Sequence, residues 1–167
     1  MVLAGNIIGT WLLAAALTMP GVFDPDVTAA LTGKAREALQ HPPLPVFVRA
    51  VVAGWLIALM VWLLPSSRSA RLWVVILMTY LIGVGELPHI IAGSTEAAYA
   101  VLTGHAAFAG YAGVFFLPTL LGNVVGGVAL VALLNHAPVA EEVRREHPEP
   151  SEHGPLAGSD PADIRGS

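Results

Sequence analysis

LIGVGELPHIIAGSTEAAY (81–99) interrupts an apolar run with Gly83, Gly85, Glu86, Pro88, His89 and Gly93, and the run resumes after Ser94 and Thr95. Pro88 has no amide hydrogen and disfavours helix at Leu87, while Gly93 tolerates a left-handed turn, so the spacing predicts a helix that breaks and restarts. Ser94 or Thr95 is placed to cap the restarted helix, with Glu96 in its first turn. The weight of this reading depends on the solvent, because irregular backbone at membrane depth is tolerated only where it is buried in protein or lines a cavity.

Composition points to lipid. Of 167 residues, 55% are hydrophobic and 12% charged, about half the ~25% charged share of soluble domains. The fold class expected is an all-α, polytopic membrane protein with four spans near 2–19, 44–64, 71–103 (broken near 86–95) and 114–134. Span 2–19 carries no charge and covers roughly 27 Å as a helix. A signal peptide fits it less well, since no basic residues precede the apolar run and Asn6 lies in its heart. Pro20-Gly21, Pro65-Ser66-Ser67 and Pro138 punctuate the spans. Residues 1–136 are thus read as one transmembrane domain, and the Glu-, Pro-, Ser- and Gly-rich stretch 137–167 as a disordered cytoplasmic tail. Loop 21–43 is polar, and its 27–39 portion suits a short interfacial helix.

Arg68 and Arg71 occupy the very short turn between spans two and three, and Arg144 and Arg145 follow span four. Short loops with arginine stay cytoplasmic, which places both termini inside an inner (plasma) membrane and loop 21–43 outside. Absence of cysteine excludes disulfides, Cys-type zinc sites and a thiol nucleophile. No basic patch with interleaved aromatics suggests nucleic acid. No nucleophile–base pair, phosphate loop or metal-ligand spacing is present, so neither enzyme activity, a metal nor a cofactor is expected.

GNIIG (5–9) returns as GNVVG (122–126), each inside an apolar run. Gly-x-x-x-Gly puts two residues without side chains on one helix face, where another backbone can approach closely. A buried Asn6 or Asn123 must find hydrogen-bond partners, so the matched pair marks equivalent packing positions, Gly5, Asn6 and Gly9 in one half and Gly122, Asn123 and Gly126 in the other. Repeats with a site at their interface are how many transport proteins are built. His89, at the break and beside a prospective helix N-terminus, is positioned to meet an anion and to exchange a proton in the physiological range. Glu86, three residues away, would share its face if a helical turn survived, tying down the loop or orienting His89. His41, His105 and His136 read as interfacial residues.

FVRAVVAGWLIALMVWL (47–63), the His-bearing break at 88–96 and LPTLLGNVVGG (117–127) together resemble the formate/nitrite transporter family over roughly residues 2–136. The order of spans matches the family's third to sixth, the first GN unit falling in the third; no counterpart of the first two spans is read, so the chain is expected to be the C-terminal part of a six-span protein. The resemblance implies an aquaporin-like fold of two inverted repeats, a homo-oligomer, specifically a pentamer with one pore per protomer, and passage of a small monovalent anion such as formate, nitrite or hydrosulfide. It places His89 at the family's central histidine, the 88–96 loop at its second broken helix, and Lys34 at a lysine of the outer vestibule. Three positions depart from the family pattern. Gly93 and Gly54 stand where asparagines are usual, and the acidic residue beside the histidine is displaced to Glu86.

The expected substrate pathway therefore comprises His89, Glu86, Ser94, Thr95 and Lys34, gated by Leu87, Ile90, Ile91 or Phe116, with lipid and a small weak-acid anion as partners. Proton donation by His89 would spare the anion much of its desolvation cost in an apolar constriction. The alternatives are a non-conducting structural membrane subunit that packs through its glycine faces, or a truncated fragment of a transporter.

Overall fold

A computed structural model describes residues 1–146, and every regular element among the described residues is helical. Helix α1 (Val2–Leu17) is uncharged and stops before Pro20 and Gly21, the latter at φ 75°. Helix α2 (Pro25–Glu37) starts with proline in its first turn behind an extended Asp24, and carries Asp26 at its N-terminus and Lys34 and Arg36 at its C-terminus. That charge order suits the helix dipole. Helices α3 (Pro43–Leu63) and α4 (Arg71–Val84) are joined by a turn in which Arg71 Nε donates to the Leu64 carbonyl at 3.1 Å. Helix α5 (Ile90–Leu102) is followed by Gly104, whose φ of 74° lets the chain reverse.

The last helical stretch begins as α6 (Phe108–Gly110), widens into a π-helical segment at Tyr111–Phe116 and continues as α7 (Leu117–Glu146). Pro118 accounts for the widening. Its ring excludes the carbonyl of residue 114 and it offers no amide, so the turn before it must change hydrogen-bond register. Helix α7 passes through Pro138, and most of the tail expected at 137–167 lies outside the described residues. The chain divides into two units, Met1–Leu133 and the residues from Leu134 onward, and the site lies wholly in the first.

Among the described residues two helices, Pro43–Leu63 and Phe108–Leu134, are long and apolar enough to cross a membrane; α1, α4 and α5 are apolar but shorter. Helix α5 is the buried hub. Its Ala97, Ala98, Tyr99 and Ala100 are buried, packed by Ala14 and Trp11 of α1, Ala35 and Leu31 of α2, and Tyr111 and Phe115 of the π segment. Alanine at five of these positions brings helix backbones close, the packing favoured where lipid removes any hydrophobic drive between helices. Trp11, Phe108, Tyr111, Phe115 and Phe116 form an aromatic cluster with Tyr111 central, and Tyr111 Oη donates to the buried Ser94 Oγ at 3.4 Å. Large apolar side chains remain on the outside, among them Leu12, Trp55, Trp62, Leu72, Trp73 and Val128.

Candidate functional site: a cavity at the broken helix

The break falls at Gly85–His89, earlier and shorter than the sequence suggested. Helix resumes at Ile90 with His89 as its extended N-cap residue, φ −117° and ψ 129°. Ser94 and Thr95 consequently lie inside α5 and cap nothing, and Gly93 is helical rather than a turn residue. The cap comes from another helix. Asn123 Oδ1 accepts from the Ile90 amide at 2.9 Å, while Asn123 Nδ2 donates to the carbonyls of Pro88 at 3.1 Å and Ala50 at 2.9 Å. One amide side chain thus satisfies both sides of the break and ties it to α3, meeting the requirement that backbone polar groups be paired in lipid.

Glycine makes that reach possible. A Cβ on Gly54 would strike the Asn123 backbone, one on Gly122 would lie 2.5 Å from the Phe47 carbonyl oxygen, and one on Gly126 would strike the Val51 carbonyl. So Gly122 and Gly126 pack onto α3. The other GN unit is different: a Cβ on Gly5 or Gly9 would meet nothing within 4 Å, and Asn6 is exposed. Gly93 serves space rather than conformation, since a Cβ there would lie 2.5 Å from Phe115 Cζ.

Beside the break is a cavity of about 280 Å³ lined by Lys34, Glu37, His41, Arg49, Glu86, Leu87, His89, Ala92, Glu96 and Phe115 among others. His89, Glu86 and Lys34 of the expected pathway are therefore brought together, whereas Ser94 and Thr95 are not among its lining residues. Glu86 does not share a helical face with His89. Its backbone is left-handed, at φ 46°, a conformation costing a non-glycine residue about 1 kcal/mol. Arg49 from α3 holds it there, Nη2 donating to the Glu86 carbonyl at 2.8 Å and to the Gly85 carbonyl at 3.2 Å. These carbonyls lie just past the C-terminus of α4, where a cation is favoured.

Charge at the cavity is mixed. Lys34 Nζ donates to Glu37 Oε2 at 2.8 Å and lies 3.7 Å from Glu86 Oε1; Arg49 Nη2 lies 3.6 Å from Glu86 Oε2. The hydrogen bond, then the charge attraction, raises Lys34 and lowers Glu37 from their ordinary pKa values, so both stay ionised near neutrality. Arg49 and Phe115 are not singled out by the sequence, and His41, read from it as interfacial, joins the cavity wall. Arg49 carried a usable signal, a charge inside FVRAVV at the start of a span; Phe115 carried none, because its neighbour Phe116 offers the same chemistry and only the π turn decides which ring faces α5.

The model of the formate/nitrite transporter family matches residues 1–137. The chain belongs to the formate/nitrite transporter family. Within it, the chain is 37% identical over 143 residues to the Escherichia coli (strain K12) inner membrane protein YfdC, covering 86% of this chain and 46% of that protein. It is 27% identical over 134 residues to the uncharacterized transporter YwcJ of Bacillus subtilis (strain 168), covering 77% of this chain and 52% of that one. The chain spans about half the length of these curated relatives. No solved structure matches it. Family membership places this formate/nitrite transporter homologue in a membrane, which suits its two membrane-length helices and its exposed apolar side chains.

Proposed function

We propose that this chain forms part of a transport pathway for a small monovalent weak-acid anion, formate- or nitrite-like, with His89 at its centre. The observation that carries the reading is the cavity itself, where His89 at the N-terminus of a restarted helix lies with Lys34 and Arg49. Amides of the first helical turn lack intrahelical acceptors and, with the helix dipole, favour negative charge. His89 donates a hydrogen bond or a proton to the anion, lowering the cost of crossing the apolar constriction beyond it. Leu87 and Phe115, which share the cavity wall with His89, are the apolar side chains placed to gate it.

In this reading the chain supplies spans 2–19, 44–64, 71–103 and 114–134 of an aquaporin-like, inverted-repeat fold, with both termini cytoplasmic and loop 21–43 outside. The unoccupied face of Gly5, Asn6 and Gly9 supports it, since the equivalent face at Gly122, Asn123 and Gly126 packs on another helix and caps a break. A second repeat would use the first face in the same way. Assembly as a pentamer completes the proposal.

Anion influx into proteoliposomes tests the role of His89. His89→Ala is expected to reduce formate and nitrite flux about tenfold or more, the loss of one hydrogen bond to a charged group. It is also expected to abolish the rise in flux on acidification between about pH 8 and pH 5. Unchanged flux and pH profile would remove His89 from the pathway and favour a non-conducting structural subunit.

A further inference from the structure

We propose that Arg49 is an anion-binding residue of the cavity and that the Glu86 carboxylate is its resident counter-ion, at ion-pair distance without a hydrogen bond and pushed aside by the arriving anion. This rests on the transport reading and deepens it. The cavity wall poses a charge problem: two cations, Lys34 and Arg49, face three carboxylates, Glu37, Glu86 and Glu96. An anion gains little from such a wall as a whole, so it must bind where a carboxylate can leave.

The distances show which carboxylate that is. Glu37 is hydrogen-bonded to Lys34 at 2.8 Å and is anchored there. Glu86 lies between Lys34 and Arg49 at 3.7 Å and 3.6 Å, inside ion-pair range of both and seated on neither. Its side chain is 52% exposed, against 30% for Arg49, so it has room to swing out while the guanidinium stays.

Arg49 is fixed without being used up. Nη2 is held by the Gly85 and Glu86 carbonyls, and among the described residues Nη1 and Nε have no hydrogen-bond acceptor. The remaining donors of a guanidinium form a planar fork that matches a carboxylate-type anion two bonds at a time. The backbone hold on Glu86 is separate from its side chain, so exchange of one carboxylate for another need not disturb the break.

The consequence is weak, fast binding. A tethered carboxylate acts as a competitor at an effective concentration in the millimolar range or above. It keeps the arginine compensated when the site is empty and returns to expel the guest, which conduction requires of any site it passes through. Arg49 sets a preference for planar oxyanions over spherical ones, because only the former use the fork.

Binding is read from the rise in unfolding temperature of the detergent-solubilised full chain with sodium formate, against sodium chloride at equal ionic strength. Wild type is expected to be stabilised more by formate than by chloride. Glu86→Gln is expected to lower the half-saturating formate concentration about tenfold, and Glu86→Asp, which withdraws the charge by one methylene, to shift it the same way by less. Arg49→Lys keeps the charge but removes the fork, and is expected to raise half-saturation for formate about tenfold while moving that for chloride far less. A purely structural Arg49 would shift both anions equally, and that outcome would overturn the proposal, as would half-saturation unmoved in both Glu86 variants or no formate preference in wild type. Flux measured on the same proteins separates the two readings: formate binding with no flux in wild type would strike the transport pathway and leave the Arg49 site standing.

Discussion

Replacing Asn123 by alanine is expected to destabilise the fold by about 2–5 kcal/mol, taking ~0.6–1.7 kcal/mol for each interhelical side-chain hydrogen bond in a membrane protein. Three such bonds leave with it, and they strand the Ile90 amide and the Pro88 and Ala50 carbonyls. In lipid these groups have no water to turn to. A loss of this size is a large part of the roughly 5–15 kcal/mol by which folded domains usually survive. Asn123→Asp separates acceptor from donor: Oδ1 is kept for Ile90, but a second oxygen then faces the Pro88 and Ala50 carbonyls, so the damage is expected to equal or exceed that of alanine. Unfolding in mixed micelles measures both, and a change below about 0.5 kcal/mol for either would mean that the break is held by something else.

The second large effect separates two adjacent glycines. Gly126→Ala puts a Cβ onto the Val51 carbonyl and 2.9 Å from the Trp55 amide, both backbone atoms that cannot rotate away. Helix α3 and α7 must then part, at a cost of about 1–3 kcal/mol from overpacking, and the parting also stretches the Asn123 bond to Ala50. Gly127→Ala meets only ordinary contacts, 3.9 Å to the Gly54 carbonyl and 4.0 Å to Ala58 Cβ. It is expected to be neutral or to stabilise by up to ~1 kcal/mol through helix propensity. The same unfolding measurement, run on both variants, should give opposite signs; equal effects would contradict the close contact.

How much of this was readable beforehand differs residue by residue. The break was legible because Pro88 and the surrounding glycines act locally, through a missing amide and missing side chains. Its position was less so. A cap taken from within the segment, at Ser94 or Thr95, puts the restart several residues late. The actual cap is on α7, 33 residues away from Ile90, and nothing local announces a long-range side-chain acceptor. That Asn123 needed partners was readable from its apolar surroundings; which ones was not. Likewise Gly93 suits a turn on conformational grounds, whereas its use is to admit Phe115, a tertiary contact. Arg49 is the residue that physical reasoning alone marks, because a cation within an apolar span demands a partner.

The clearest trial of the cavity as the anion pathway exploits a chain without cysteine. Ala92 lines the cavity and is exposed in it, so Ala92→Cys introduces a single thiol a few residues beyond His89. In proteoliposomes, modification of that thiol by a negatively charged methanethiosulfonate is expected to block formate flux, and formate to slow the modification. Complete modification with flux undiminished would show that anions cross elsewhere.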